Sequence, residues 1–100
     1  SMADQIQYSI SDDGLGFHAR CGAAHIGEIT FVRVGIDKMI IDHTGVDDDY
    51  RGRDVDRGLV ECVVNLARTQ RRRILCMCPV ARAVFDRTPA FDDVRLIHMH

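Results

Sequence analysis

The chain has 100 residues, 46% of them hydrophobic, and 13 basic against 15 acidic side chains leave a formal net charge of -2. That length supports one core and leaves no room for a second, and so even a balance lacks the basic excess that marks nucleic-acid and membrane surfaces. No apolar run approaches the roughly 18 residues that a bilayer-crossing helix needs, and the N-terminus lacks the basic-then-apolar order of a signal peptide, so the expectation is a cytoplasmic single domain over residues 2–97 with no nucleic-acid or membrane partner.

Ser1 before Met2 reads as an expression remnant and is set aside. Ile6, Tyr8 and Ile10 alternate with polar neighbours and stop at the turn-forming run Ser11-Asp12-Asp13-Gly14, the pattern of a half-exposed strand entering a hairpin. Leu15, Phe17 and Ala19 continue the alternation as a second strand to Cys21-Gly22, and residues 26–34 form a third, rich in β-branched and aromatic side chains. After a turn at Gly35-Ile36-Asp37-Lys38, residues 39–44 read as a fourth, largely buried strand.

Beyond a polar loop the apolar period changes. Val55, Leu59, Val63 and Leu66 recur every three or four residues, which predicts an amphipathic helix to about Gln70. Arg71-Arg72-Arg73 suits the negative end of that helix's dipole, which explains the run without invoking a polyanion. Residues 74–78 read as a short fifth strand, and Pro79 opens a second helix, where a missing N–H costs nothing. Apolar residues from Phe91 to Leu96 are expected to pin the tail, and His98-Met99-His100 to fray. The order β-β-β-β-α-β-α is an α/β sandwich whose sheet is antiparallel except between the fourth and fifth strands, which a crossover helix makes parallel. A splayed parallel pair leaves a slot for a ligand.

The four cysteines lack the paired spacing of a zinc site, so no metal is expected there, and reduced thiols are the default. Cys21, Cys62 and Cys76 read as small buried hydrophobes. Cys78, directly before Pro79, falls at a helix N-terminus, where the dipole favours a thiolate. Asp47-Asp48-Asp49 reads as a solvated face, its spacing unlike a calcium loop.

From His43-Thr44, through Arg51-Gly52, to Cys78-Pro79, over roughly residues 24–95, the chain resembles a family of very small GNAT-like N-acetyltransferases. Their pattern is a His-Thr pair, an Arg-Gly-x-Gly-x-Gly/Ala loop opening a helix, and a Cys-Pro strand end. The resemblance implies acetyl-CoA as co-substrate, an amine as acceptor, cofactor binding by Arg51, Gly52, Arg53, Asp54, Val55, Asp56 and Arg57, and catalytic roles for Cys78 and His43. A helix N-terminus offers free N–H groups and partial positive charge to a pyrophosphate, and glycine lets it approach. Here Asp54 and Asp56 stand where the family has small residues. Asp54 is expected to cap the helix with its carboxylate, and both charges are expected to repel a pyrophosphate.

His43 has the chemistry of a general base near neutral pH, and on a splayed pair of strands it is expected to share one slot with Cys78. Two functions stand open: an N-acetyltransferase working directly or by way of Cys78, and a degenerate module of the same fold that serves in interaction or regulation. A redox pair of Cys76 and Cys78 is the weakest reading, because alternate strand residues hold their Cβ atoms apart. A monomer or a weak dimer through an exposed edge strand is expected.

Overall fold

The fold is a computed structural model describing residues 5–98. Polar turns separate the alternating segments into β1 (Ile6–Ile10), β2 (Gly16–Cys21), β3 (Ala24–Val34) and β4 (Lys38–Val46), an antiparallel meander. Asp13 secures the first turn, its carboxylate accepting from the Ser11 hydroxyl at 2.7 Å and the Leu15 N–H at 2.9 Å. After a short 3-10 turn, Asp48–Tyr50, come α1 (Val55–Gln70), β5 (Arg73–Cys76), α2 (Pro79–Asp86) and a 3-10 helix, Pro89–Val94.

The five strands lie in sequence order, and only β4 and β5 are parallel. Their register runs from Lys38 opposite Arg73 to Ile41 opposite Cys76. There β5 ends, two residues short of the predicted Cys78, while β4 continues to Val46, so the last part of β4 is paired with β3 on one side and has no strand on its β5 side. The splay is thus a difference in strand length.

Both helices pack on one sheet face. Leu59, Val63 and Val64 of α1 and Val84 and Phe85 of α2 meet Ile29, Phe31, Met39, Ile41 and Ile74, each 1% exposed or less. Each such side chain contributes about 1.5–3 kcal/mol of burial, which is why a helix of modest intrinsic propensity is held along its whole length. A tight turn joins β1 to β2, and among the described residues no helix covers the other face. That face carries His18, His25, Glu28, Thr30, Asp42 and His43, none of them buried.

Two bulges break the alternation. One shifts the β2/β3 register beside Ile26. The other pairs Thr30 with His43 but Phe31 with Ile41, leaving Asp42 as an extra residue in β4, bonded through its carboxylate to the Thr30 hydroxyl at 2.6 Å.

The arginine run is divided three ways. Arg71 ends α1 in a left-handed conformation (φ 56°), Arg72 donates to the Gly35 and Lys38 carbonyls at 2.9 and 3.1 Å, and Arg73 opens β5 and donates to the Arg95 carbonyl at 3.0 Å. Pro89 starts a helical turn of its own, whose Phe91 and Val94 are buried, and Leu96 N–H donates to the Ile74 carbonyl at 2.7 Å. The tail is therefore pinned as predicted. Met99 and His100 lie outside the described residues, and His98 is exposed. Among the described residues no helix is long and apolar enough to cross a membrane.

Candidate functional site

Where β5 stops, a cleft of about 480 Å³ opens between the β5-side edge of the end of β4 and the starts of α1 and α2. Thr44, Gly45 and Val46 form its β4 wall, Tyr50, Arg51, Gly52, Val55 and Asp56 its α1 end, and Val80 closes it from α2. Its residues come from three elements that only the crossover brings together.

The loop into α1 is stiffened locally. Asp47 accepts the Asp49 N–H at 3.0 Å and its own N–H donates to the Ile26 carbonyl at 2.8 Å, Asp48 pairs with Arg51 at 2.9 Å, and the Arg53 guanidinium lies 5.2 Å from the Tyr50 ring centre. Two members of the acidic run thus serve the loop itself, and among the described residues no three His, Cys, Asp or Glu side chains converge as a metal site requires. Gly52 takes φ 79°, which suits glycine, with open space where a side chain would stand.

The two aspartates behave differently from the sequence expectation. Asp54 flanks α1, but its backbone is left-handed (φ 59°) and its carboxylate makes no capping bond. It faces a separate depression with Tyr8, Arg57 and Glu61. A capping side chain needs an extended backbone to turn back over the first turn, and the left-handed conformation directs it elsewhere. Asp56 is the carboxylate in the cleft. It accepts the Arg57 N–H at 2.8 Å and pairs with Arg87, at the end of α2, at 2.9 Å. Of the seven loop residues expected to bind cofactor, Arg51, Gly52, Val55 and Asp56 line the cleft, while Arg53, Asp54 and Arg57 line the other depression.

Cys78 caps α2 from an extended backbone (φ -94°, ψ 127°) with Pro79 as the first helical residue. It is 6% exposed and lies beneath Thr44 and Val80 rather than on the cleft wall. Burial pushes its thiol up, but the Ala81 N–H, the Thr44 hydroxyl and the Val80 N–H outweigh burial and hold it below the ordinary value. Burial alone dominates at Cys76, which is pushed up to about 11. Of the two cysteines at the end of β5, Cys78 is therefore the one whose surroundings favour the thiolate. Thr44 is itself 6% exposed, and its hydroxyl oxygen makes no hydrogen bond of good geometry among the described residues.

His43 does not share the slot with Cys78. The bulge at Asp42 turns its ring to the uncovered face, where Nε2 lies 3.1 Å from Glu28 Oε2. Glu28 also lies 3.8 Å from His25, which approaches His18 at 3.0 Å, so the imidazoles string out across β2, β3 and β4. A side chain at Gly45 would collide with the Glu28 carboxylate. Glu28, Tyr50 and Val80 are site residues that the sequence motifs do not mark. For Thr44 the signal was present in the His-Thr pair, but its face depends on the bulge.

A family model described as GCN5-related N-acetyl-transferase matches residues 16–94. The solution structure of a GCN5-like protein from Staphylococcus aureus superposes with a TM-score of 0.75 at 26% identity, over 97% of this chain and 94% of that one. A ribosomal-protein-alanine N-acetyltransferase from Brucella melitensis biovar Abortus 2308 shares the fold with a TM-score of 0.62 at 18% identity, over 85% of this chain and 63% of that one. So does AAC(6')-Iy, solved with a bisubstrate analogue containing CoA, at 0.54 and 14%, over 85% of this chain and 66% of that one. No curated protein sequence gives a significant match.

Proposed function

The chain belongs to the GCN5-related N-acetyltransferase family, and from that premise we propose that it is a single-domain, acetyl-CoA-dependent N-acetyltransferase acting on an amine. The observation that carries the reading is the cleft. It joins the α1 N-terminus, which suits a pyrophosphate, to a stretch of β4 whose β5-side edge is left open, which suits the amide-bearing arm of acetyl-CoA. Gly52 leaves open space where the chain turns into α1, so the residues present fit the co-substrate. That one of the structures sharing the fold was solved with a CoA-containing analogue supports the same assignment.

The reaction joins the amine nitrogen to the acetyl carbon, breaks the carbon–sulfur bond, releases CoA as the thiol and passes the amine's proton to a base. We assign Cys78 to the cleft side, as the thiolate able to take the acetyl group first, and His43 to the uncovered face, as the base for an amine arriving there. The unpaired edge of β4 is where the two sides meet.

A second reading, a module of this fold without catalysis, draws on one observation. The Asp56 carboxylate lines the cleft and occupies the Arg57 N–H that a phosphate would otherwise use. Calorimetric titration with acetyl-CoA separates the two. Micromolar binding supports the transferase. Absence of binding, with affinity appearing only in Asp56→Gly, supports the module.

A further inference from the structure

The Thr44 hydroxyl is a buried donor on the cleft wall with no hydrogen bond of good geometry, held three β4 residues past Ile41, the last position paired with β5, and close to the cysteine that begins α2. Leaving a hydroxyl in that condition is costly, and the neighbouring sulfur relieves it unequally in its two states. A protonated thiol is a weak acceptor, whereas a thiolate is a strong one.

We propose that Thr44 is the positioning residue of Cys78: its hydroxyl, fixed on the far wall by the Asp42 bulge, donates to the sulfur once the thiol ionises and joins the α2 amides in a cradle for the thiolate. The assignment rests on the proposed reading of the cleft in taking Cys78 as the reacting group. Its geometry is independent of bound CoA. The N–H groups of Val80 and Ala81 approach the sulfur from the helix side and Thr44 from the strand side, so the charge is met from two directions and the Sγ atom is held in one orientation.

The other ionisable groups nearby do not duplicate this role. Cys76 stays neutral across the range in which Cys78 titrates, its thiol pushed up to about 11. Arg82 of α2 donates to the Cys76 carbonyl at 3.4 Å, Asp86 pairs with Arg95 at 2.8 Å and Asp56 with Arg87 at 2.9 Å. His43 and Asp42 belong to the opposite face of β4.

The test compares the full chain with Thr44→Val, which keeps the shape and removes the donor, and Thr44→Ser, which restores it. Thiolate ultraviolet absorbance is followed against pH, each protein referenced to its own Cys78→Ser version. Thr44→Val is expected to raise the Cys78 midpoint by about one unit, a tenfold loss of thiolate, and Thr44→Ser to return it. Melting temperature supplies a readout that a structural threonine would not share. At about two units below the ordinary thiol value of ~8.5, Thr44→Val should melt higher than the native chain, because the unsatisfied donor is gone, and that advantage should shrink as pH rises through the Cys78 midpoint. An unchanged midpoint in Thr44→Val overturns the proposal, as does a variant that melts lower at every pH. Acetyl-CoA calorimetry on the native chain tests the cleft separately: binding with no midpoint shift ends this assignment alone, and a midpoint shift without binding ends the transferase reading alone.

Discussion

Neutralising Asp56 should strengthen acetyl-CoA binding, and neutralising Asp54 should not. The Asp56 side chain is 28% exposed and sits on the cleft wall in the first turn of α1. At about 8 Å and an effective dielectric near 20, a carboxylate and one diphosphate charge repel by about 2 kcal/mol. Arg87, 2.9 Å from the carboxylate, is present in both proteins, so its attraction does not enter the difference. The ~2 kcal/mol is roughly a thirtyfold gain in affinity for Asp56→Asn at low salt, and less as salt screens it. Asp54 opens onto the other depression, with the helix start between it and the cleft, so Asp54→Asn should change affinity less than about twofold, its charge being screened by solvent. Calorimetry of both variants and the native chain at one ionic strength measures the difference. The same Asp56→Asn variant should lose a little stability, about 0.5–1 kcal/mol, as it gives up an ion pair and a favourable charge at the helix start. Equal gains for the two variants, or a larger gain for Asp54→Asn, would refute the assignment of the two carboxylates to different sides.

Gly16→Ala should destabilise the chain by about 2–3 kcal/mol, read from a urea midpoint, because the added methyl collides with the Ile29 carbonyl of the neighbouring strand and a backbone cannot swing aside. Arg71→Gly should raise the melting temperature, with a gain of about 0.5–1 kcal/mol, since the left-handed residue that ends α1 costs arginine more than glycine. Arg68 holds Asp93 by two bonds, at 3.0 and 2.8 Å, and keeps its carboxyl below the ordinary value. A carboxyl lowered on folding stabilises fully above its unfolded value and loses that contribution as pH falls through its folded one. The melting temperatures of Arg68→Gln and the native chain should therefore differ most near neutrality and converge below about pH 4.

The helices were legible because their signals are local. The stripe from Val55 to Leu66 fixes the length of α1, and Pro79 fixes the start of α2 through the chemistry of its ring. The strands were legible to within a residue or two, and the end of β5 was placed at Cys78 because its apolar residues continue past the last paired position. What the chain did not disclose are the places where one residue alters the direction of the next. An aspartate before a helix ordinarily caps it, and nothing in the letters Arg53-Asp54-Val55 announces a left-handed backbone. His43 and Cys78 sit at matching ends of neighbouring strands, so simple alternation puts them together, and the residue that separates them is an extra Asp42 whose effect is visible only in the β3/β4 register. The same holds for Arg71, Arg72 and Arg73, one cluster on paper and three unrelated attachments in the fold.

The inserted residue in β4 acts as a phase slip in an otherwise two-fold grating. Upstream of it odd-numbered side chains face the helices, and downstream even-numbered ones do, so His43 and Thr44, adjacent in the chain, inhabit surroundings with nothing in common. Substitutions can therefore rewrite the chemistry of either side without disturbing the other. Flattening the bulge while keeping every residue would exchange both at once, carrying the imidazole toward the helices and the hydroxyl into water. A single-codon deletion of Asp42 would instead restore plain alternation with His43 and Thr44 each still on its own side.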